Sequence, residues 1–368
     1  MRALKLEEIR RLSLVELPDS LPAPGELCVD TIATGICGSD IHGYTGENGR
    51  RFPGQVMGHE TVGRISAIGT DVVDERFAIG SLVTVNPVIV PSEKVKAYEG
   101  KEQHDPRRRI MGVDPTMISA FAERFVVPAS NVVVLPELQN PLHGALIEPL
   151  AVALHAVNRA KVAPGQIVLV VGGGPIGQSC VLAAQRAGAS RVIVSEPNAA
   201  RRGICESLGA QVLDPALGPV PESVRALTGQ LGADVAIDAV GSSATISDAL
   251  QSTALGARVC LVGMAQPGIS LDAYRISTDE RTLVGSFTYP SNTFSEAAGW
   301  VAAGIASLDL LVSEVVEPEQ ADATFARLAR SLDVPAKVLI RFAPDHPRVP
   351  APVDDGLASL VQPRKEQA

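Results

Sequence analysis

The sequence is poor in aromatic residues, in cysteine and in positive charge. Aromatic side chains make up 4% of its 368 residues and include one tryptophan, Trp300. Its five cysteines are odd in number and scattered, which does not fit a disulfide framework and indicates a reducing compartment. The 41 acidic residues outnumber the 32 basic ones, and a net charge of -9 argues against nucleic acid or an anionic membrane as a partner.

Long apolar runs are missing as well. No run reaches the roughly 18 residues of a membrane span, and no signal-peptide pattern opens the chain. We therefore expect a soluble cytoplasmic protein that acts on small molecules. The chain is longer than a domain with a single hydrophobic core usually is, so two domains are expected.

Six short β-branched runs follow one another between residues 166 and 287, most of them separated by helical patterns. The runs are IVLVVG, RVIVSE, QVLD, DVAIDAVG, ARVCLVG and TLVGSF. Their length of four to eight residues and their largely apolar character are typical of strands buried on both faces. This rhythm predicts an α/β fold with a doubly wound parallel sheet, here assigned to residues 150–290.

The rest of the chain has a different pattern. Residues 1–149 contain many short strand candidates punctuated by Gly and Pro, which predicts a mostly β domain. Residues 291–342 end in a strand, helix and strand that the nucleotide-binding sheet does not need, so we expect them to complete this first domain. Residues 343–368 are rich in Pro and charge and are predicted to be a disordered or surface-draped tail.

The first run of the parallel sheet leads directly into GGGPIG and then into a helical pattern. Gly172, Gly174 and Gly177 have G-x-G-x-x-G spacing, with Pro175 and Ile176 between the last two. Glycines let the backbone approach a pyrophosphate closely, and the helix N-terminus offers free N–H groups. We therefore predict a dinucleotide site at this loop.

Glu196 is the last residue of the second run, 19 residues after Gly177. This is near the spacing at which a carboxylate accepts hydrogen bonds from the adenosine ribose, and it favours NAD over NADP. A surface glutamate is the alternative interpretation. Arg201 and Arg202 lie close in sequence and keep NADP open.

A possible metal site appears in three separate motifs. GICGSDIHG contains Cys37, GHETVG contains His59 and Glu60, and EPLAVALHA contains Glu148. Thiolate, imidazole and carboxylate are all accepted zinc ligands. For Cys37 alone, a packed thiol is the alternative interpretation.

These motifs and the glycine loop, taken together and in this order, resemble the zinc-dependent medium-chain dehydrogenases, particularly the sorbitol and butanediol dehydrogenases. The resemblance covers residues 1–342. It implies a GroES-like catalytic domain beside a Rossmann domain, and NAD-linked oxidation of a secondary alcohol to a ketone. The alcohol would be a small diol, a cyclic alcohol or a polyol. It also implies one catalytic zinc ion per chain and a homodimer or homotetramer.

The resemblance assigns roles to individual residues. Cys37 and His59 would bind zinc directly, with Glu60 or Glu148 as the third ligand. Asp40 would orient a ligating histidine, although a helix cap is an alternative role for it.

A proton relay is also implied. Ser39 would pass the proton of the alcohol through the cofactor ribose to His42, although a surface histidine without a role is an alternative. Val262, near the end of the fifth run of the sheet, would contact the cofactor.

Two departures from the family pattern are informative. The four cysteines that hold a structural zinc in some relatives align with Pro91, Lys94, Ala97 and Asp105, so no structural zinc is expected.

The second departure concerns the substrate pocket. Sorbitol dehydrogenases place a tyrosine where Gly43 stands, and an arginine where Thr288 stands beside Tyr289. We therefore expect a wider pocket with fewer hydrogen-bond donors, suited to a substrate with a substantial apolar part.

Two other functions stay open. A zinc-free quinone or enoyl reductase of the same fold would not need the cysteine and glutamate ligands. A non-catalytic NAD(H)-binding protein would keep the fold without turnover.

Overall fold

The computed structural model describes residues 1–47, 49–91, 93, 96–330 and 334–342. The predicted tail, 343–368, lies outside the described residues. No helix in the described part of the chain is long and apolar enough to cross a bilayer.

The N-terminal part is built mainly of strands, as the sequence predicts. Its elements are Arg2–Glu8 (β1), Arg11–Glu16 (β2), Glu26–Gly35 (β3), Gly38–Thr45 (α1), Glu60–Ile68 (β4), Leu82–Val85 (β5), Val88–Ile89 (β6), Arg109–Ile110 (β7), Arg124–Pro128 (β8) and Val132–Val134 (β9). β1 pairs with β2 and β6 with β7, both antiparallel.

Strands and helices alternate in the next part. Its elements are Ile147–Ala160 (α2), Ile167–Val171 (β10), Pro175–Arg186 (α3), Arg191–Ser195 (β11), Ala199–Ser207 (α4), Gln211–Leu213 (β12), Val220–Leu227 (α5), Ala233–Asp238 (β13), Ser243–Ser252 (α6), Thr253–Leu261 (β14), Ala273–Thr278 (α7) and Thr282–Gly285 (β15). Each of the six predicted runs forms a strand, and the strands pair in parallel in the order β12-β11-β10-β13-β14-β15. The predicted doubly wound sheet is confirmed.

The alternation of side chains along β10 explains why its run is apolar throughout. Val168 and Val170 belong to a core cluster that contains α2 and α3, whereas Leu169 and Val171 belong to one that contains α5 and α6. All four are at most 3% exposed. Successive side chains point to opposite faces of a strand, so a sheet covered on both faces requires apolar residues at every position.

The last described elements are Ser291–Ala302 (α8), Val312–Val316 (β16), Ala321–Leu328 (α9) and Lys337–Arg341 (β17). β17 pairs antiparallel with β3 and in parallel with β16, so the chain returns to the N-terminal sheet as expected. That sheet has the order β16-β17-β3-β4-β5-β9, with β8 also paired to β3. α8 packs on α2 within the core cluster that also covers one face of the parallel sheet. The division of the chain at 149/150 and 290/291 stays a prediction.

The glycine loop after β10 is packed too closely for any side chain at its last glycine. A Cβ at Gly177 would lie 1.8 Å from the carbonyl oxygen of Gly172. Because that contact is with backbone, it cannot be relieved by a side-chain rotation. The absence of a side chain at Gly177 thus lets α3 approach the end of β10.

We predict that Gly177→Ala destabilises the protein by about 1–3 kcal/mol, the usual range for an overpacked core position, and weakens dinucleotide binding. Thermal unfolding and titration with NAD would measure the two effects. Gly203→Ala is the matched control, because Gly203 lies in α4 and an added Cβ would meet nothing within 4 Å. That control should leave stability unchanged or raise it by up to about 1 kcal/mol. Equal unfolding temperatures for the two variants would contradict the packing argument.

Candidate metal centre and cofactor cleft

Two antiparallel strands bring the predicted metal ligands together. Gly35, the last residue of β3, pairs with Glu60, the first residue of β4. Cys37 therefore follows one strand and His59 precedes the other at the same end of the sheet. Three potential ligand atoms lie within 4.8 Å of one another, one each from Cys37, His59 and Glu60. His59 and Glu60 are buried, whereas Cys37 is partly exposed.

Asp40 lies between the start of α1 and the imidazole of His59. Cys37 is the N-cap of α1, and its backbone N–H donates to Asp40 Oδ2 at 3.2 Å. The other carboxylate oxygen of the fully buried Asp40 lies 3.6 Å from His59 Nδ1, which has no hydrogen-bond partner of its own. The carboxylate thus caps the helix and faces the outer nitrogen of the imidazole.

The charge around His59 controls its protonation in the metal-free centre. Burial lowers the pKa of His59, but the negative charges of Asp40, Cys37 and Glu148 outweigh burial and raise it to about 10. A metal ligand must be a neutral imidazole, so binding of a cation here displaces a proton.

Glu60 is held by a lysine that the sequence patterns did not single out. Lys337, the first residue of β17, is 4% exposed and donates to Glu60 Oε1 and to the carbonyl of Ile36, the latter at 3.3 Å. Glu60 Oε2 is buried without a partner, and it occupies the space that a Cβ at Gly35 would fill. A lysine directly before the apolar run 338–340 was the available signal.

Glu148 approaches the same centre from the first turn of α2. Its Oε1 accepts a hydrogen bond of 2.9 Å from the hydroxyl of Tyr289, whose side chain is fully buried. Burial raises the pKa of Glu148 to about 7; the nearby charge of His59 lowers it and that of Glu60 raises it. Tyr289 therefore contacts a predicted metal ligand, and its assignment to the substrate pocket stays a prediction.

Thr288, the other pocket residue predicted beside it, has a φ of 47°. This left-handed conformation is rare for a β-branched residue. Its hydroxyl is buried without a hydrogen-bond partner.

Gly43 does not open a wide apolar space, contrary to the expectation from its sequence position. A Cβ at Gly43 would lie 2.1 Å from Cγ of Arg51, so the stem of that arginine fills the space. Arg51 is 4% exposed, and its Nη2 lies 3.4 Å from both Asp40 Oδ1 and Ser39 Oγ. No sequence signal marked Arg51, because its contact with Gly43 depends on how the intervening loop folds.

The charges of this centre leave a place for a divalent cation. Four acidic groups meet two basic side chains, the acidic ones being Cys37, Asp40, Glu60 and Glu148 and the basic ones Arg51 and Lys337. Without a metal, protons on His59 and Glu148 can balance the charge, whereas ionised acids beside a neutral His59 leave two negative charges for a cation to balance. This excess, the unpartnered Glu60 Oε2 and the thiolate, imidazole and carboxylate donors all fit a divalent zinc ion.

The predicted relay residues lie at the rim of the centre. Ser39 is partly buried beside Arg51. The side chain of His42 is 43% exposed, and its Nδ1 lies 2.8 Å from Glu47 Oε2. An exposed imidazole one helical turn from Ser39 suits the release of a proton to solvent.

The cofactor residues gather at the carboxyl ends of the parallel strands. Glu196 is 3% exposed and accepts 2.7 Å and 2.8 Å hydrogen bonds from the N–H groups of Gly173 and Asn198. Gly174 is the N-cap of α3, with Pro175, Ile176 and Gly177 in the first turn of that helix, and Val262 follows β14.

The two arginines near Glu196 have different surroundings. Arg202 forms an ion pair with Asp214 at 2.8 Å. Nη1 of Arg201 would lie 3.7 Å from a Cβ at Gly174, and its buried Nε has no partner, so its guanidinium lies over the glycine loop.

The segment aligned with a structural-zinc lobe has an ion pair of its own. Asp105 accepts from Nε and Nη2 of Arg107 at 3.1 Å and 2.9 Å. Pro91 and Ala97 flank this segment without metal-ligating side chains, and Lys94 lies outside the described residues. A carboxylate and a guanidinium thus contribute to holding this segment.

The chain matches two family models. An alcohol dehydrogenase GroES-like domain matches residues 23–137, and a zinc-binding dehydrogenase domain matches residues 175–303. Among solved structures, a protein from Sinorhizobium meliloti 1021 assigned as a zinc-binding dehydrogenase and bound to NADP is 30% identical, with a TM-score of 0.84. The match covers 92% of this chain and 98% of that one.

Curated relatives are similar over nearly their whole length. The sorbitol dehydrogenase of Bacillus subtilis (strain 168) is 29% identical over 92% of this chain and 97% of the relative. The 2-dehydro-3-deoxy-L-galactonate 5-dehydrogenase of Pseudoalteromonas atlantica is 31% identical over 87% of this chain and 92% of the relative. The chain therefore belongs to the zinc-type medium-chain dehydrogenases, in the sorbitol dehydrogenase-like branch.

Proposed function

We propose that this protein oxidises a secondary alcohol to a ketone, with a zinc ion at the metal centre and NAD as the acceptor of the hydride. The observation that carries the proposal is the convergence of Cys37, His59 and Glu60 within 4.8 Å, in a centre where four acidic groups meet two basic side chains. The sorbitol dehydrogenase relative supports an alcohol substrate, and the galactonate dehydrogenase relative supports a sugar-derived one.

Each predicted zinc ligand discussed here has a different neighbouring side chain that orients it. Asp40 faces His59 Nδ1 and so favours the tautomer that offers Nε2 to a metal, while Lys337 holds one oxygen of Glu60 and leaves the other available. Glu148 has a neutral hydroxyl partner instead of a cation and is the second candidate carboxylate. Zinc held by these residues would supply a Lewis acid that stabilises negative charge on the alcohol oxygen.

The chain's own residues would then move the proton. Ser39 Oγ would accept the hydrogen bond of the alcohol hydroxyl at the rim of the centre, and the ribose hydroxyls of a bound cofactor would supply the link between Ser39 and His42. The exposed imidazole of His42 releases the proton to solvent, with Glu47 Oε2 in contact with Nδ1.

NAD is proposed over NADP on the strength of Glu196. Its buried carboxylate lies beside the glycine loop, where it would accept from ribose hydroxyls and repel a 2′-phosphate. Arg201 is the residue that would favour NADP instead, and the solved relative from Sinorhizobium meliloti holds NADP.

Two alternatives have less support. A zinc-free quinone or enoyl reductase would have no use for the thiolate and carboxylate donors or for the negative charge they concentrate. A non-catalytic NAD(H)-binding protein would not need Ser39 and His42 beside the centre. The homodimer or homotetramer, the cytoplasmic location and the identity of the alcohol stay predictions.

Cys37→Ser should remove zinc and reduce alcohol oxidation to background, because a neutral hydroxyl replaces a thiolate ligand. NADH binding should persist, since the glycine loop belongs to the other sheet.

Metal analysis should give about one zinc ion per chain in the wild type. Cys28→Ala, in β3 and away from the centre, is the control and should retain zinc. A fully active wild type without metal, or with about two zinc ions per chain, would contradict the proposal.

His42→Ala should lower the rate of alcohol oxidation by roughly 10-fold or more, with the largest loss at acidic pH, where little hydroxide is present to take the proton. Added imidazole should restore part of the rate by replacing the missing base. Glu47→Gln is the control for the loss of the neighbouring charge. If the pH–rate profile matched that of the wild type, His42 would have no part in the relay.

Glu196→Gln should lower kcat/KM for NAD relative to NADP by about 10-fold, the size of a lost hydrogen bond to a charged group. Steady-state kinetics with both nucleotides measures the ratio. Glu206→Gln removes an exposed carboxylate from the same helix region and should leave the ratio unchanged. A wild type that prefers NADP would instead assign the dominant role to Arg201.

A further inference from the structure

A cleft of about 520 Å³ opens between the segment 103–108 and the carboxyl ends of β14 and β15. Twelve residues line it: Gln103, His104, Arg108, His155, Arg159, Leu261, Val262, Gly263, Met264, Gly285, Ser286 and Phe287. Four of the twelve side chains are basic or can become so, and none is acidic. This composition is unusual for a protein with a net charge of -9.

The two arginines of the cleft have no ionic partner in the described part of the chain. Arg108 donates to the carbonyl of Asp105 at 3.1 Å and stacks 6.0 Å from the centre of the Phe287 ring, while its buried Nε is unpartnered. Arg159 donates from Nε to the carbonyl of Gly285 at 3.0 Å. Their positive charges are thus held in place by neutral groups only.

The carboxylates closest in sequence are engaged elsewhere. Glu102 accepts from the backbone N–H groups of Ser291 and Gly100 at 3.0 Å and 3.1 Å, and Asp105 is paired with Arg107. The amide oxygen of Gln103, a residue 4% exposed, has no partner.

The lowered pKa of His155 is consistent with a local excess of positive charge in the cleft. Burial, together with the charges of Arg159 and His104, lowers the pKa of its imidazole to about 4. At neutral pH it therefore offers the cleft a neutral N–H donor.

The cleft lies within reach of the metal centre. His155 follows Glu148 by seven residues on α2, which is two turns along the same face and about 10 Å. Tyr289, the hydrogen-bond partner of Glu148, is two residues beyond Phe287. Val262 and Gly263 also place the cleft at the carboxyl edge of the parallel sheet, where ligands of such folds bind.

We propose that the secondary alcohol carries an anionic group, a carboxylate or a phosphate, which Arg108 and Arg159 bind in this cleft while the hydroxyl lies at the metal centre. This inference rests on the proposed function and narrows its substrate class. A guanidinium that is already oriented and lacks a counter-ion binds such an oxyanion through charge-assisted hydrogen bonds. Arg159 lies eleven residues beyond Glu148 on α2, about 16 Å along the helix axis, so the anionic group must be several bonds away from the reacting carbon.

The test compares anion binding and turnover in the wild-type holoenzyme and in Arg108→Gln, Arg108→Lys and Arg107→Gln. Inorganic phosphate and succinate are titrated calorimetrically into the NADH complex of each protein. Turnover is measured with sorbitol, gluconate and sorbitol 6-phosphate. Arg107 is the matched control, because it neighbours Arg108 but is paired with Asp105 and does not line the cleft.

Arg108→Gln should weaken anion binding and lower kcat/KM for the anionic substrates by roughly 10- to 100-fold, with Arg108→Lys intermediate and Arg107→Gln unchanged. Sorbitol turnover and the dissociation constant of NADH should stay within about twofold in all variants. Anion affinity that is undetectable in the wild type, or equal in Arg108→Gln and Arg107→Gln, would overturn the inference while leaving alcohol oxidation intact. An enzyme that binds anions through Arg108 but oxidises no secondary alcohol would instead refute the proposed function.

Discussion

The balance of buried charge at the end of β3 and β4 is the constraint on which the functional part of this molecule depends. Ion pairs with Arg51 and Lys337 compensate Asp40 and Glu60, and when His59 is neutral the charges of Cys37 and Glu148 are left over. Uncompensated charges at low exposure are costly, and a divalent cation removes that cost. The same acidic groups explain why the pKa of His59 is raised despite its burial. For Glu148, burial is the main cause of the raised pKa, with His59 opposing it and Glu60 adding to it.

Much of the fold could be predicted from the sequence, because the relevant signals are local. A strand buried on both faces must be apolar at successive positions, so IVLVV and its five counterparts identified the parallel sheet directly. Position 177 requires glycine because a side chain there would collide with the backbone carbonyl of Gly172, only five residues away in sequence. The Cys37, His59 and Glu60 cluster was predictable as well, since each residue adjoins a strand end within a recognisable motif.

The partners of these residues could not be predicted, because they come from distant parts of the chain. Lys337 reaches Glu60 only because β17 adds to the edge of β3 after the whole parallel sheet has intervened. Arg51 reaches Asp40 only because Gly43 leaves a space for its stem, so the same glycine that suggested an open pocket is the reason for a filled one. A missing side chain in a sequence does not reveal which neighbour takes its place.

One short segment connects the basic cleft with the metal centre. Ser286 and Phe287 line the cleft, Thr288 takes a left-handed conformation, and Tyr289 donates to Glu148. A β-branched residue with positive φ costs on the order of 1–3 kcal/mol and persists only where its surroundings enforce it. Here the enforcing contacts are those of Tyr289, which is fully buried and stacks 5.6 Å from the ring of Phe294. Because the strained residue lies between the two sites, the position of the cleft relative to Glu148 is fixed by the fold rather than by a flexible loop.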